Sequence, residues 1–254
     1  MKYVFFLDID GTLTWGSSIP EENIRLIERA QKDGHPVLIN TGRSLKFIPQ
    51  FVLDSISFDG IVAGLGSYCS LGDRVLKAEE MPRYQLKSTF DYLASRDRRF
   101  IFEGENEVLV YGPSSHFPSI SSADELDTVY SHVRVEKIYI SGILEREEFQ
   151  KLSESFFTLQ HGDYAECAIK GCDKAKGMKL IMDCFPRDWR SIAMGDSVND
   201  IQMLQAADVA VAMGNAPDSV KALCHTVSCH AKDGGLAKAF AQILGYGEKG
   251  EDTV

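Results

Sequence analysis

Five aromatic or aliphatic residues, Tyr3–Leu7, run directly into Asp8-Ile9-Asp10-Gly11-Thr12. An apolar run this short, rich in aromatic and β-branched residues, predicts a buried strand. Polar residues end the strand, with two carboxylates two positions apart. Side chains at i and i+2 of an extended segment point the same way. Asp8 and Asp10 are therefore expected to crowd together at the carboxyl end of the strand, where open α/β sheets place their ligands. Gly11 then permits a sharp turn. Two like charges held that close raise one pKa unless a cation intervenes. Phosphoryl transfer can use both outcomes, an ionised carboxylate attacking phosphorus and a protonated neighbour donating to the leaving oxygen. Taken alone, the motif reads equally as a solvated turn.

The rest of the chain repeats the strand-then-helix rhythm. Residues 20–34 predict a helix, with Pro20 near the first turn, Glu21 and Glu22 at its positive end, Ile24, Ile27 and Ala30 on one face, and Gly34 as stop. Strands are expected at 36–39 and 60–63, which makes a βαβ unit and a parallel sheet. The texture changes near Met81-Pro82. From there to about Ile169 the pattern is helix (84–95), hairpin (99–103 with 107–111), helix, strand, helix, and a second hairpin turning at Gly162-Asp163. Alternation then resumes with a helix at 177–185, a strand at 191–195, a helix at 198–207, a strand at 209–213 and a helix at 236–244, after which 245–254 is expected to fray. The expected fold is α/β: a doubly wound, mostly parallel sheet built from 1–80 plus 170–254, interrupted by an α+β domain at 81–169.

Composition narrows the function. A formal charge of −10 argues against a nucleic-acid phosphate backbone as partner. No apolar stretch approaches the roughly 20 residues of a membrane span, and the N-terminal run is too short for a signal-peptide core. Six scattered cysteines with no Cys-x-x-Cys predict reduced thiols and a cytoplasmic location. Cys224-His225 and Cys229-His230 fit no familiar zinc spacing. An anionic small molecule remains a candidate ligand provided that a metal and a few cationic groups reverse the local field.

Three further segments carry residues suited to that task. Asn40-Thr41-Gly42-Arg43 follows the second strand, and a hydroxyl with free N–H groups there can hold phosphate oxygens. Gly195-Asp196-Ser197-Val198-Asn199-Asp200 follows another strand and opens a helix; Asp196, Asn199 and Asp200 at i, i+3 and i+4 are expected on one helical face. Hard oxygen ligands of this kind suit Mg²⁺. Gly171-Cys172-Asp173-Lys174-Ala175-Lys176-Gly177 puts Lys174 at a helix N-terminus, which is sensible only if an anion sits there. Asn215 reads either as a helix N-cap or as a site contact. Gly64-Leu65-Gly66 lacks the third glycine and the helix of a dinucleotide site. Phe102, Glu103, Tyr111 and His161 in the insert are left out of the site, as scattered aromatics are more often core.

Together these segments resemble the haloacid dehalogenase superfamily of phosphohydrolases. Its four motifs appear in order: Asp8-Ile9-Asp10-Gly11-Thr12, Thr41-Gly42-Arg43, Lys174 in Gly-x-x-Lys-Ala-x-Gly, and Gly195-Asp196-Ser197-Val198-Asn199-Asp200. The match extends to Ala212-Met213-Gly214-Asn215-Ala216 and Asp233-Gly234-Gly235. It is similar to the subfamily with a large cap inserted between the second and third motifs, which includes many sugar-phosphate phosphatases. Where relatives often carry Asn-Gly, this chain has Leu65-Gly66. The resemblance implies a Rossmann-like core and a phosphoric monoester hydrolase acting on a small phosphorylated metabolite, a sugar phosphate by expectation. It implies Asp8 as nucleophile forming an aspartyl-phosphate, and Asp10 as acid and then base. Mg²⁺ would be held by Asp8, the Asp10 carbonyl and Asp196. Thr41, Gly42, Arg43, Lys174 and Asn199 would bind substrate, with Lys174 also catalytic and Asp200 orienting metal waters and Lys174 from behind. The alternatives are a hexose phosphomutase on the same core and a non-catalytic sugar-phosphate sensor.

Overall fold

The structure is a computed structural model that describes residues 1–247; residues 248–254, the last part of the segment expected to fray, lie outside the described residues. In chain order the strands are β1 (Tyr3–Leu7), β2 (Val37–Asn40), β3 (Gly60–Ala63), β4 (Tyr68–Leu71) and β5 (Arg74–Ala78). There follow β6 (Phe100–Gly104), β7 (Val108–Tyr111), β8 (Ser119–Ile120), β9 (Val135–Ser141), β10 (Phe156–Gln160) and β11 (Tyr164–Ile169). The chain closes with β12 (Arg190–Gly195), β13 (Val209–Ala212) and β14 (Thr226–Val227).

Eight strands form one sheet in the order β14-β13-β12-β1-β2-β3-β4-β5. Every pairing from β14 to β3 is parallel. β1 shows why the sheet is wound on both faces. Its alternating side chains enter two separate cores: Phe5 and Leu7 pack with helices Glu21–Lys32 and Gly235–Leu244, while Val4 and Phe6 pack with Lys174–Met182 and Ile201–Ala206. Phe5 stacks on Phe240 at 4.3 Å between ring centres. The expected α/β architecture is present.

The β4–β5 edge is antiparallel, and residues 67–78 were expected to form no element. The cause is the turn before it. Gly64, Leu65 and Gly66 take φ of 56°, 55° and 84°, which folds the chain straight back on β3 instead of into a helix. Only glycine enters that region freely; Leu65 does so at a cost of roughly 1–2 kcal/mol.

A second sheet, ordered β10-β11-β9-β6-β7-β8, is antiparallel except between β7 and β8. Helix Arg83–Ser95 and helix Arg146–Ser155 bury Leu86, Phe90, Leu93 and Leu152 against one of its faces. The other face turns toward the carboxyl ends of the first sheet. Two helices differ from the expectation by more than two residues at an end. Helix Lys174–Met182 starts three residues early because Asp173 caps it, its carboxylate accepting from Lys176 N at 2.7 Å. The segment expected as one helix at 198–207 is a 3-10 turn, Val198–Asp200, followed by helix Ile201–Ala206. No helix among the described residues is long and apolar enough to cross a membrane.

Candidate active site

β1 lies between β12 and β2, and the chain crosses from one side of β1 to the other, so the carboxyl end of β1 is the topological switch point. Asp8 stands there. Asp196 follows β12 next door, Thr41 follows β2, and Asn215 follows β13. Four loops thus converge for reasons of strand order alone.

Lys174 is the hinge of the arrangement. Its ammonium is fully buried and donates to Asp8 Oδ1 and to Asp200 Oδ1, each at 2.6 Å. Burial opposes its charge, but Asp200 and Asp8 outweigh that and hold its pKa above the usual lysine value. Asn40 fixes the start of its helix, donating from Nδ2 to the Lys174 carbonyl at 3.1 Å. The anion that a lysine at this helix end calls for is therefore a pair of carboxylates.

Asp200 approaches by a route that differs from the expectation. Asp196, Asn199 and Asp200 do not share one helical turn, because Asp196 lies just past the end of β12 and Ser197 is extended, with φ −127°. Instead Asp200 Oδ2 turns back and accepts from the N–H groups of Asp196 and Ser197, each at 3.0 Å. A capping box, not helical periodicity, brings the two carboxylates together.

Asp8, Asp196 and Asp200 each place a carboxylate oxygen within 4.8 Å of the others. Burial first, then the charge of Asp200, push Asp8 up to about 7, against the pull of Lys174. Burial and Asp200 likewise push Asp196 up to about 6. The like-charge neighbour that matters for Asp8 is thus Asp200 and not Asp10, as the sequence spacing had suggested. The Asp10 carboxylate faces the cleft and is gripped by Arg43, Nε to Oδ2 at 2.6 Å and Nη2 to Oδ1 at 2.8 Å.

These carboxylates fit a hard divalent cation. Asp196 Oδ1 is buried with no hydrogen-bond partner, while Asp196 Oδ2 is held by Asn215 Nδ2 at 2.8 Å. Asn215 also donates to the Gly11 carbonyl at 2.9 Å and accepts from Ala231 N at 2.9 Å. It is no N-cap: the following helix, Asp218–Lys221, is preceded by Pro217 with no side-chain cap. Gly11 is required here, since a Cβ would fall 2.3 Å from Asp196 Oδ2 at a φ of +75°.

A cleft of about 610 Å³ opens above this floor. Thr41, Gly42, Arg43 and Asn199 border it beside Asp8, Asp10 and Asp196, whereas Lys174 and Asp200 lie beneath. Its far wall comes from the second sheet. Glu103 and His161, set aside in the sequence reading, line it together with Lys137, Tyr139, Tyr164 and Glu166, which that reading missed altogether. Phe102 and Tyr111 do pack in the core of the second sheet. Alternation along β9 separates Lys137 and Tyr139 from the buried Ile138 and Ile140, but no signal in one sequence says which face meets the cleft.

Buried carboxylates and a lysine thus stand at the switch point of a doubly wound α/β sheet. The sequence profile of haloacid dehalogenase-like hydrolases matches residues 5–240, and the chain belongs to that family. It is 27% identical to the 5-amino-6-(5-phospho-D-ribitylamino)uracil phosphatase YitU of Bacillus subtilis, over 93% of this chain and 95% of that one. It is 26% identical to the pyridoxal phosphate phosphatase YbhA of Escherichia coli, over 88% and 92%. Among solved structures it is similar to the subclass IIB sugar phosphatase BT4131, with a TM-score of 0.80 and 26% identity over 97% of this chain and 100% of that one.

Proposed function

We propose that this phosphoric monoester hydrolase is a Mg²⁺-dependent phosphatase of small sugar or polyol phosphates, working through an aspartyl-phosphate on Asp8. The observation that carries the reading is the Lys174 ammonium shared by Asp8 and Asp200, beside an Asp196 oxygen left without a partner. Residues 81–169 act in this reading as a cap over a core of 1–80 and 170–254. Its six cysteines are free, which suits a cytoplasmic location.

Asp8, the Asp10 backbone carbonyl and Asp196 would hold Mg²⁺, with Asp200 fixing Lys174 from behind. The ion, when bound, supplies positive charge that offsets repulsion between the phosphoryl oxygens and Asp8. Thr41, the Gly42 N–H and Asn199 at the cleft edge, with the Lys174 ammonium below, orient the phosphoryl group. An Asp8 oxygen forms a bond to phosphorus as the ester P–O bond breaks, and Asp10 gives a proton to the departing alkoxide. Water then attacks the same phosphorus, loses its proton to Asp10, and frees Asp8 and inorganic phosphate. Arg43 holds the Asp10 carboxylate at the cleft through its two hydrogen bonds.

Purified protein with Mg²⁺ is expected to release phosphate from a panel of sugar phosphates, and Asp8→Asn to release none. Undiminished turnover by Asp8→Asn would overturn the assignment.

A further inference from the structure

The wall opposite the catalytic floor has a charge pattern of its own. Glu103 on β6, Lys137 on β9 and Glu166 on β11 come from adjacent strands, Glu103 directly across from Lys137. Lys137 Nζ donates to Glu166 Oε1 at 2.8 Å and to the Gly42 carbonyl at 3.4 Å, and lies 3.2 Å from Glu103 Oε2. The ammonium is thus ion-paired with both glutamates. Burial opposes the Lys137 charge, but Glu103 and Glu166 keep its pKa above the usual lysine value.

Two glutamates share one lysine across the wall, and one oxygen of each makes no hydrogen bond; burial raises the Glu103 pKa, opposed by the Lys137 charge. Glu103 Oε2 is buried at the cleft, in ionic contact with Lys137 but without a hydrogen bond. Glu166 Oε2 has His161 Nε2 3.3 Å away. Beside them the rings of His161, Tyr164 and Tyr139 stack in sequence, 4.5 and 5.1 Å between centres. The other cation at the cleft, Arg43, is spent on Asp10 and on the Phe47 carbonyl. Among the described residues lining the cleft, none offers an unpaired cation to the part of a substrate beyond its phosphoryl group.

Resting on the phosphatase reading above, we propose that Glu103 and Glu166 are specificity-determining residues that sort leaving groups by charge. They favour an amine-bearing polyol monophosphate, whose ammonium and hydroxyls donate to the free carboxylate oxygens while its carbon skeleton lies on the ring strip. They disfavour a leaving group with a carboxylate or a second phosphate, which would meet two carboxyl groups sharing a single ammonium in a site partly shielded from water.

Three hexose-derived 6-phosphates that differ in charge away from the ester test this: glucosamine 6-phosphate, glucose 6-phosphate and 6-phosphogluconate. For the wild type, kcat/KM is expected to fall in that order, with roughly tenfold between first and last. Glu166→Gln and Glu103→Gln are each expected to narrow the ratio. Because the ratio compares substrates on one preparation, the folded fraction of a variant cancels. A flat or reversed order with phosphate still released, or ratios unmoved in both variants, would overturn the charge filter while leaving hydrolysis standing. No release from these three or from p-nitrophenyl phosphate would overturn both.

Discussion

Lys174 and Lys176 sit two residues apart and differ in everything that matters to catalysis. Lys174 is buried between Asp8 and Asp200, whereas the Lys176 ammonium is exposed and donates to the Gly171 carbonyl at 2.6 Å. Lys174→Ala is expected to lower kcat by about 10³-fold, comparable to removing a preorganised donor from a transition-state site. It also leaves two buried carboxylates without their cation, at a cost of about 3–5 kcal/mol, so its melting temperature should drop as well. Lys176→Ala should change kcat by less than about twofold, since surface substitutions away from such contacts cost little. Steady-state phosphate release by both variants checks this, and equal losses would reverse the assignment. The register of Gly-x-x-Lys-Ala-x-Gly already favoured Lys174. The role of Asn215 was not legible: an asparagine ahead of Ala216-Pro217 has the composition of a cap, and only the packing of the β13 loop against Gly11 aims it at Asp196.

At the scale of elements, β9 does two jobs that its sequence alone keeps hidden. Lys137 spans to the Gly42 carbonyl, and its neighbour Glu136 is buried with one oxygen unpaired, facing the turn of Gly64 and Ser67 on the first sheet. Burial, reinforced by the Glu105 charge, pushes the Glu136 pKa up to about 7 from an ordinary 4.5. The folded protein then holds a proton there that the unfolded chain has lost between those values. Stability from this group is full below about pH 4.5 and declines as pH rises toward 7. Glu136→Gln should therefore raise the melting temperature at pH 8 more than at pH 5. The difference should correspond to about 1–3 kcal/mol. Thermal denaturation at the two pH values measures it, and an equal effect at both would disprove the link. The residue pattern of the insert predicts β9 as a strand between two helices. It assigns neither residue a role, because a single chain gives the alternation but not the surface each face meets.

Across the whole molecule, three carboxylates converge on one point in a chain already carrying a formal charge of −10. The single charge of Lys174 offsets only part of their mutual repulsion, so Mg²⁺ should stabilise the folded state by mass action. At a concentration near one hundred times Kd the gain is about 2.7 kcal/mol, or a rise of roughly 5–10 °C in melting temperature for a chain of this size. Asp196→Asn should lose most of that rise; the same rise in the variant would place the ion elsewhere. What the amino-acid order determined by itself was local: β1 and the turn after it, the parallel α/β pattern, and the residue types at each strand end. These follow from periodicity and turn chemistry within a few residues. The tertiary structure alone decided the rest. Asp200 rather than Asp10 became the charged neighbour of Asp8 because a capping box folds it back. The glutamate-lined face of the second sheet became the roof of the cleft because of how two sheets oppose each other across residues distant in the chain. Local pattern encodes which way a side chain alternates, but what it meets depends on contacts that no short stretch contains.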